Sequence, residues 1–353
     1  MIKNEYRVIG VMSGTSLDGV DLVYAIFNFD KGLNFEIRCS ETVPYDSFWY
    51  SILSDLVSLD KKSLAKIDQS YTLLIAEIIK GFIKKNNIEK IDAICSHGHT
   101  ALHRPEKSLT YQIGNRPELA KLLNQNVVCD FRVQDVQLGG QGAPLVPIGD
   151  RLLFSEYDYC INLGGFANIS YEVKGGKRIA FDICPVNVVL NEYSKKLGLS
   201  YDDGGQIAKK GIVNRELLRA LNQLQFFKAN PPKSLGLEWV KSEIFPLIRN
   251  FEENPVNVIS TFTEHISIQI SEVVKEGSKI LFTGGGTFNR YLLERISAHN
   301  PVSLKVPENQ LIEFKEALIF ALLGVLKLRG EINCLASVTG ASQDHSSGKI
   351  YKF

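Results

Sequence analysis

Four short segments of the chain place glycines where a predicted β-strand ends. They are GTSLDG (14–19), GGQG (139–142), LGGFAN (163–168) and TGGGTFN (283–289). Glycine lets the backbone turn sharply and approach a ligand closely, and the exposed N–H groups then bind anions. One such turn alone is typical of an ordinary structural turn. Four of them in one chain favour nucleotide binding.

The first of these segments also carries hydroxyl and carboxylate groups. Thr15 and Ser16 are hydroxyl donors, while Asp18 and Asp21 are carboxylates of the kind that hold Mg²⁺ on a bound polyphosphate. The chain contains no GxxxxGK[ST] motif, which excludes a P-loop. No GxGxxG follows the first predicted strand, which argues against a dinucleotide-binding fold.

FDICPVN (181–187) places Asp182 at the end of a predicted strand, just before a predicted helix whose first turn holds Pro185. A carboxylate beside a helix N-terminus is a candidate general base. The same pattern is typical of a helix N-cap or of a structural aspartate at a strand end. The residues alone leave both interpretations open.

Three of the six histidines lie in SHGHTALH (96–103), at His97, His99 and His103. Their spacing is compatible with a metal site, but an HxH pair on one strand needs further ligands, and none is apparent. A sugar pocket lined by histidines is the favoured interpretation. Cys95 lies beside the cluster, so a Cys–His nucleophile is an alternative, although the apolar run IDAIC around it indicates a buried thiol.

Two charged residues complete the set of candidates. Arg132, in DFRVQD (130–135), can bind a carboxylate through two hydrogen bonds, which suits an acidic substrate. A structural salt bridge is the alternative for Arg132. Glu316 begins a strongly apolar helix, where a solvated helix start is the simpler interpretation.

The elements that must position these residues follow one pattern in each half of the chain. Each half opens with two β-rich runs around a glycine turn and continues with strands alternating with helices. The predicted strands are 6–12, 21–29, 34–43, 91–98, 110–114, 126–131, 159–164, 168–172, 178–183 and 278–286. The predicted helices are 61–85, one starting near 115, 185–197, 203–225, 238–249, 256–275, one after 286, and 314–329. This pattern predicts an α/β fold with two similar lobes, and the glycine-rich 138–150 is the expected junction.

Composition narrows the class of protein. The chain has 353 residues, enough for two domains of roughly 150 residues each. Hydrophobic residues make up 44% and charged residues 22%, which excludes disorder, collagen and coiled coil. Forty basic residues face 39 acidic ones without long runs of like charge, so we expect no nucleic-acid partner.

The cysteines and apolar runs indicate the compartment. The six cysteines are scattered and contain no CxxC pair, which excludes a disulfide framework and a zinc ribbon and favours a reducing compartment. The first apolar stretch is too short for a signal peptide, and the longest, near 317–326, is about half a membrane helix. We expect a cytoplasmic protein with no membrane partner, and the sequence leaves open whether it forms a homodimer.

Six segments form an ordered set that spans nearly the whole chain. They are MSGTSLDGVD (12–21), SHGHTALHRP (96–105), DFRVQDVQLGGQGAPLVP (130–147), INLGGFANIS (161–170), FTGGGTFN (282–289) and EALIFALL (316–323). Each glycine motif alone is weak, but the set in this order is highly specific. It resembles the family of anhydro-N-acetylmuramic acid kinases.

The resemblance implies an α/β, two-lobed fold of the actin/hexokinase type, which is a duplicated ribonuclease H-like fold with ATP and sugar in a central cleft. The first lobe, with the phosphate loop and the sugar side, is expected at 1–133 plus about 330–353, and the nucleotide lobe at 134–329. The implied reaction uses ATP and Mg²⁺ to open 1,6-anhydro-N-acetylmuramic acid with water and to phosphorylate O6. The product is N-acetylmuramic acid 6-phosphate, in the recycling of cell-wall murein.

The resemblance also implies roles for individual residues. Asp182 corresponds to the base that acts on the attacking water. Ser13, His97, Arg132 and Glu316 correspond to contacts on the sugar side, and Arg132 is expected to meet the lactyl carboxylate. The expected nucleotide contacts are Gly14, Thr15, Ser16, Leu17, Asp18, Gly19, Val20 and Asp21 in the first lobe, with Gly164, Gly165, Gly284, Gly285 and Gly286 in the second.

Three segments depart from the family pattern. FDTGPGN becomes FDICPVN, HGQT becomes HGHT with His99, and PPKSTGRE becomes PPKSLGLE with Leu237. Losing glycines limits close backbone approach to a ligand. These changes leave two alternatives open: a catalytically weak sugar or nucleotide sensor on the same fold, and a kinase for a different small sugar. A hydrolase using Cys95 is a third alternative.

Overall fold

The computed structural model describes residues 2–14 and 17–353, which form two compact units. The first unit runs to Leu153 and resumes at Phe314–Phe353, and the second is Phe154–Glu313. The predicted boundaries were therefore wrong at two places, because 134–153 and 314–329 belong to the first unit. The glycine-rich 138–150 is accordingly an internal segment of the first unit and not a junction.

The first unit is built on a six-stranded mixed sheet in the order β13-β7-β4-β1-β2-β3. β1, β2 and β3 form an antiparallel meander, while β4 is parallel to β1 and β7 is parallel to β4. A separate hairpin pairs β5 with β6. The strands are β1 (Glu5–Ser13), β2 (Gly19–Asn28), β3 (Asn34–Pro44), β4 (Ala93–Ser96), β5 (His99–Arg104), β6 (Leu109–Ile113), β7 (Val127–Cys129) and β13 (Lys349–Tyr351).

The helices of the first unit lie between and after these strands. They are α1 (Ser47–Ser54), α2 (Lys61–Lys85), α3 (Glu118–Leu123), α4 (Val133–Gln137), α5 (Pro147–Leu153), α14 (Asn309–Arg329, of which 309–313 is assigned to the second unit) and α15 (Ala336–Thr339). The prediction for α2 is confirmed at both ends. Asp60 starts it by accepting hydrogen bonds from the backbone N–H groups of Lys62 and Ser63, as an N-cap does.

The second unit repeats the strand arrangement of the first. Its sheet has the order β10-β9-β8-β11-β12. β8, β9 and β10 are antiparallel, β11 is parallel to β8, and β12 is parallel to β11. The strands are β8 (Tyr159–Leu163), β9 (Phe166–Val173), β10 (Lys177–Pro185), β11 (Lys279–Thr283) and β12 (Ser303–Lys305). The same order and directions in both units confirm the α/β class and the duplicated ribonuclease H-like topology.

The helices of the second unit cover its sheet. They are α6 (Asn187–Lys195), α7 (Gln206–Lys210), α8 (Arg215–Asn222), α9 (Gln225–Lys228), α10 (Leu237–Trp239), α11 (Phe245–Phe251), α12 (Pro255–Val273) and α13 (Arg290–His299), with a π-helical turn Val240–Ile244 joining α10 to α11. The predicted helix at 203–225 is three short helices. Glycines at 204, 205 and 211 interrupt it, the first two in the left-handed region.

Helix α14 packs so tightly on the first sheet that two contacts require glycine. A side chain at Gly10 on β1 would collide with the carbonyl of Ala317, and one at Gly324 would collide with Cys95 on β4. This packing explains why 314–329 belongs to the first unit. It also corrects the position of Glu316, which lies within α14, because the helix already begins at Asn309.

The described residues, 2–14 and 17–353, include no helix that combines the length and the apolar character needed to cross a membrane.

Candidate active site

Parallel strands bring three predicted site residues of the first unit to one edge of its sheet. β1, β4 and β7 run in the same direction, so their carboxyl ends lie side by side. Ser13 ends β1, His97 follows β4, and Arg132 follows β7 after a short turn. The edge of a sheet at the carboxyl ends of its parallel strands is where α/β proteins bind ligands.

Ser13 belongs to a chain of hydrogen bonds that fixes one side of this edge. Its hydroxyl lies 2.8 Å from Nδ1 of His99 and 2.6 Å from the hydroxyl of Tyr45, which in turn lies 2.6 Å from the hydroxyl of Tyr71. Burial lowers the pKa of His99 to about 4. The imidazole that replaces the glutamine of the family pattern is therefore neutral and hydrogen-bonded.

His97 and Arg132 form the other side of the edge. Nε of Arg132 donates to Nε2 of His97 at 2.9 Å, and Nδ1 of His97 donates to the carbonyl of Gly98 at 2.8 Å. Burial, and then the guanidinium of Arg132, hold the pKa of His97 well below its usual value. With both ring nitrogens engaged, His97 has no free atom for the HxH metal site considered from the sequence.

The guanidinium of Arg132 is fixed at two points and open at a third. Besides the bond to His97, Nη1 donates to the carbonyl of Gly142 at 2.7 Å. Within 2–14 and 17–353, Nη2 has no protein acceptor, so it is available to an anionic ligand. The glycine-rich loop (139–142) is itself held by Asp135, whose Oδ2 accepts from the N–H of Gly142 at 2.7 Å.

Glu316 is the carboxylate that the sequence placed with Arg132 on the sugar side of the first unit. It is solvent-accessible on α14, next to Lys315, which forms a buried ion pair with Asp150 at 2.7 Å. Desolvation by the surrounding protein raises the pKa of Glu316, and the nearby charges of Arg132 and Lys315 act in the opposite direction. Arg132 and Glu316 therefore interact electrostatically, as expected for two groups of one site.

The turn between β1 and β2 carries the predicted phosphate loop. Thr15 and Ser16 lie outside the described residues. Of the others, Leu17 has a left-handed backbone with φ +62° and donates its N–H to the carbonyl of Gly14 at 3.4 Å. The left-handed conformation is costly for a bulky side chain such as that of Leu17.

The far end of this turn leads into β2. A side chain at Gly19 would collide with the carbonyl of Val43 on β3, so the glycine is required by packing. Val20 is fully buried, and the Asp18 side chain is exposed. Asp21 lies opposite Met12 in the strand pairing and accepts a hydrogen bond of 2.6 Å from the Thr42 hydroxyl. Asp18 is thus the more exposed of the two carboxylates.

The equivalent turn of the second unit, between β8 and β9, contains Gly164 and Gly165. Their carbonyls face the start of α6: the N–H of Val186 donates to Gly165 at 2.8 Å, and the N–H of Asn187 donates to Gly164 at 3.3 Å. These bonds tie the turn to the end of the strand that carries Asp182. A side chain at Gly165 would crowd Val188.

Asp182 lies inside β10, at a bulge in its pairing with β9. Pro185 ends this strand, so the prediction that Pro185 sits in the first helical turn was wrong, and α6 begins at Asn187. Oδ2 of Asp182 accepts from the N–H of Leu235 at 2.8 Å. Burial raises the pKa of Asp182, and that hydrogen bond opposes the rise.

The residues that replace a threonine and two glycines of the family pattern around Asp182 are buried in the core. Ile183, Cys184 and Val186 are all buried in the main hydrophobic cluster of the second unit. The departure from the family pattern therefore adds apolar packing behind the aspartate. The PPKSLGLE segment (231–238) lies on its other side, since the N–H of Asp182 also donates to the carbonyl of Lys233 at 3.0 Å.

A cavity of about 460 Å³ opens beside α6 in the second unit, and we refer to it as the α6 cavity. Gly285 and Gly286 line it after β11, where the sequence predicted nucleotide contacts. Its other lining residues are Asn187, Leu190, Asn191, Tyr201, Asp202, Asp203, Gly204, Phe288 and Asn289. Its volume lies in the range of small-ligand sites.

The glycines of 284–286 serve different purposes. Gly284 has φ +82° and, like Gly286, presses against Leu163, so a side chain at either position would collide with it. A side chain at Gly285 would meet nothing within 4 Å. Sequence reasoning missed the opposite wall, Tyr201–Gly204; the paired glycines of DDGG (202–205) were the signal that could have revealed it.

Cys95 is not placed for nucleophilic chemistry. Its side chain is fully buried beneath α14, and burial raises its pKa, which keeps the thiol protonated. His103 lies at the exposed end of β5 and hydrogen-bonds to Thr110 at 3.1 Å.

Comparison with known proteins identifies the family. The family model for anhydro-N-acetylmuramic acid kinase matches residues 6–353. The anhydro-N-acetylmuramic acid kinases of Sulfurimonas denitrificans and Zymomonas mobilis are each 33% identical, covering 98% and 97% of this chain and 99% of their own lengths. That of Caldanaerobacter subterraneus is 32% identical and covers 99% of this chain and 97% of its own. The chain therefore belongs to the anhydro-N-acetylmuramic acid kinase family.

Proposed function

We propose that the chain is an ATP-dependent kinase that opens 1,6-anhydro-N-acetylmuramic acid with water and phosphorylates O6, giving N-acetylmuramic acid 6-phosphate. Family membership over 6–353 is the observation that carries the proposal. Three features of the structure support it: buried neutral histidines, an arginine fixed by hydrogen bonds, and an aspartate whose pKa is raised by burial. The product class fits the recycling of cell-wall murein.

Asp182 is the base in this proposal. Its carboxylate takes a proton from the water that attacks C1 of the sugar, and the C1–O6 bond breaks with its electron pair going to O6. O6 then takes the terminal phosphoryl group, and ADP leaves. The Leu235 N–H holds one carboxylate oxygen, which leaves the other for the water. Burial raises the pKa of Asp182, which strengthens its ionised carboxylate as a base.

The sugar contacts come from the first unit. Arg132 binds the lactyl carboxylate through Nη2, and His97 keeps the guanidinium in place. A charged, hydrogen-bonded pair of this kind is stronger than a neutral one and favours acidic substrates. Ser13, fixed by His99 and Tyr45, and the carboxylate of Glu316 supply hydrogen-bonding partners for sugar hydroxyls or the acetamido group.

The nucleotide contacts come from glycine turns in both units. The α6 cavity takes the adenosine, with the exposed ring of Phe288 as a stacking surface and Gly285 leaving room for the base or ribose. The turns at 14–19 and 164–165 present backbone groups to the phosphates. Mg²⁺ would be held by Asp18 and Asp21, whose carboxylates are its preferred protein ligands, and it would neutralise phosphate charge.

The test is a phosphorylation assay with the purified chain, ATP, Mg²⁺ and 1,6-anhydro-N-acetylmuramic acid, followed by ³¹P NMR and mass spectrometry of the sugar. We expect a 6-phosphate in which one oxygen from ¹⁸O-water is incorporated at C1. A panel of other small sugars under the same conditions separates this activity from that of a kinase with another substrate. Absence of sugar phosphate with intact binding of both ligands by calorimetry would overturn the kinase in favour of the sensor.

We also propose a cytoplasmic location. All six cysteines are free thiols, five of them buried, and ATP as a substrate is available in that compartment. Trapping of the thiols in intact cells with a membrane-impermeant reagent, before and after lysis, tests this location. Size-exclusion chromatography with light scattering decides whether the kinase acts as one chain or as the homodimer considered from the sequence.

A further inference from the structure

A buried carboxylate, thiol and imidazole come together beside the glycine-rich loop of the first unit. They belong to Asp135 on α4, Cys334 after α14, and His345 in the C-terminal segment, and these residues are 0%, 1% and 5% exposed. One potential ligand atom from each lies within 4.8 Å of the other two. Neither the sequence motifs nor the proposed kinase reaction gives these three groups a common role.

The spacing of the three atoms matches a small metal site. Sγ of Cys334 lies 3.1 Å and Nε2 of His345 lies 3.6 Å from Oδ1 of Asp135. In a tetrahedral zinc site with bonds of 2.0–2.3 Å, ligand atoms lie about 3.3–3.8 Å apart. Both distances to Asp135 Oδ1 are close to this range, and Sγ of Cys334 and Nε2 of His345 lie within 4.8 Å of each other.

The imidazole of His345 is the observation that points to a cation. Its Nδ1 lies 3.0 Å from the carbonyl of Gln343, to which it donates, so Nε2 is the ring atom that can bind a metal. Nε2 is buried without a hydrogen-bond partner among 2–14 and 17–353, and it faces the Asp135 carboxylate, which is also an acceptor. Two acceptors facing each other are unfavourable until a positive charge lies between them. Metal-binding histidines typically donate their other nitrogen to a backbone carbonyl, as His345 does.

We propose that Asp135 Oδ1, Cys334 Sγ and His345 Nε2 bind a structural Zn²⁺ ion. On binding, the Cys334 thiol, which donates to Asp135 in the metal-free protein, releases its proton to solvent and coordinates as the thiolate. Thiolate, imidazole and carboxylate are zinc ligands, whereas Mg²⁺ takes oxygen donors, so this ion is distinct from the one proposed for ATP. The fourth position takes water or the hydroxyl of Thr339, which lies 2.7 Å from Asp135 Oδ1.

The ion would join the C-terminal segment to the loop that positions Arg132. The backbone of Asp135 accepts from the N–H of Gly140 at 2.9 Å, and Thr339 accepts from the N–H of Gln141 at 2.8 Å. The carbonyl of Gly142 in turn holds Arg132. Zinc bound to these three residues therefore stabilises the first unit, because the metal binds the folded chain and not the unfolded one. It also stabilises the glycine-rich loop that holds Arg132.

Metal content tests the proposal without any kinase assay, so its failure is distinguishable from failure of the proposed function. The full chain is purified without a histidine tag from zinc-supplemented medium and analysed by inductively coupled plasma mass spectrometry. We expect about one Zn²⁺ per chain, removal by a chelator, and a rise in Tm on the order of 5 °C when Zn²⁺ is restored. Less than about a tenth of an equivalent, with no effect of Zn²⁺ on Tm, would overturn the proposal and leave the Cys334 thiol as a hydrogen-bond donor to Asp135.

Variants and cobalt identify the ligands. Cys334→Ser and His345→Gln should each lose the zinc and the zinc-dependent rise in Tm, while Cys39→Ser, which alters a cysteine outside the cluster, should keep both. Co²⁺ added to the chelator-treated wild-type chain should produce a thiolate-to-cobalt charge-transfer band, a readout that remains if a variant fails to fold. Zinc retained in both variants, or cobalt binding without that band, contradicts the assignment.

Discussion

Nε of Arg132 donates a hydrogen bond to Nε2 of His97 at 2.9 Å, and this contact fixes the protonation of the histidine. Arginine stays charged in proteins, so Nε2 of His97 must be the acceptor and the ring proton must lie on Nδ1, which donates to Gly98. His97 is therefore a neutral imidazole that holds the Arg132 guanidinium in place. Its single ring proton is engaged with the Gly98 carbonyl, so it is not available as a general acid. In the proposed kinase, the role of His97 is to orient Arg132 toward the sugar.

Replacing Arg132 with lysine should weaken binding of the anhydrosugar. Lysine keeps the charge but lacks the rigid guanidinium that bonds His97, Gly142 and a carboxylate together. We expect KM for 1,6-anhydro-N-acetylmuramic acid to rise by about 10- to 100-fold, with a smaller change in kcat, since a lost hydrogen bond to a charged group costs about 1.5–3 kcal/mol. Steady-state kinetics with saturating ATP measure both constants.

A matched substrate separates the lactyl contact from general disruption at Arg132. 1,6-Anhydro-N-acetylglucosamine lacks the lactyl carboxylate, so wild type and Arg132→Lys should use it with similar KM values. A loss of equal size for both sugars would show that Arg132 does not bind the carboxylate.

Replacing Asp182 with asparagine should abolish turnover while sparing ligand binding. Asparagine can still accept the Leu235 hydrogen bond but cannot take a proton, and loss of a general base typically costs about 10²- to 10⁴-fold in kcat. Calorimetric Kd values for ATP should stay within about threefold of wild type. Asp30→Asn, at an exposed turn between β2 and β3, is the control and should keep full activity. Undiminished kcat in Asp182→Asn would reject Asp182 as the base.

The raised pKa of Asp182 also predicts a stability effect. The folded state holds a proton on Asp182 more tightly than the unfolded chain does, so the ionised carboxylate is a cost to folding once the pH exceeds its folded pKa. Asp182→Asn removes that cost. At pH 7 its Tm should equal or exceed that of wild type, and at pH 3.5 the difference should shrink. A clearly lower Tm at pH 7 would mean that the carboxylate stabilises the fold.

Alanine substitutions at two neighbouring glycines should have different effects on stability and on ATP binding. Gly285→Ala adds a side chain where nothing lies within 4 Å, so the fold should be unaffected while the methyl group enters the α6 cavity and raises KM for ATP by about tenfold. Gly286→Ala collides with Leu163 and should lower the free energy of unfolding by about 1–3 kcal/mol. Denaturant titration and ATP kinetics on the two variants check this. Equal effects in both assays would contradict placement of the nucleotide in the α6 cavity.

Buried neutral histidines should make the protein sensitive to acid. Burial lowers the pKa of His99 to about 4 and of His265 to about 3, whereas in the unfolded chain both bind protons near 6.5. The unfolded chain therefore binds more protons below pH 6.5, and stability falls as the pH falls from about 6.5 toward 4. At pH 5 each group costs about 2 kcal/mol.

Thermal unfolding between pH 7 and pH 4.5 measures this dependence. His265→Gln, which can keep a hydrogen bond to Asn222, should show a shallower fall in Tm than wild type. His103→Gln changes an exposed histidine whose pKa burial also lowers, and its effect on the fall in Tm should be smaller than that of His265→Gln. A Tm that is independent of pH over this range would contradict the assignment of neutral buried imidazoles.

The sequence pattern was sufficient for elements with strong local signals. Helix α2 was predicted to the residue, because its apolar stripe is regular and Asp60 supplies an N-cap. The hairpin of β1 and β2 and the strands before Gly164 and Gly284 also followed from local pattern. Ser13, His97 and Arg132 were predicted from the family resemblance, and the structure adds that parallel strands bring them to one edge of a sheet.

Features that depend on tertiary contacts were not predictable from pattern. The start of α14 at Asn309 and its membership in the first unit depend on packing against Gly10 and Cys95, which are about 300 and 200 residues away along the chain. The α6 cavity joins 201–204 to 285–289, segments with no common motif. The roles of Gly140 and Gly142 as partners of Asp135 likewise appear only once α4 is folded beside them.

Because the first unit is formed by two separate stretches of the chain, on the ribosome it can be completed only after residues 154–313 have been synthesised. Residues 154–313 emerge as one uninterrupted stretch and can fold as soon as they are complete. The N-terminal sheet is made before residues 154–313 but must wait for α14 to cover β1 and β4, so its apolar face stays open until 314–329 have been synthesised. During that interval we expect the nascent chain to expose an apolar surface of the kind that chaperones bind, and loss of residues 314–353 would leave the N-terminal portion without a complete core.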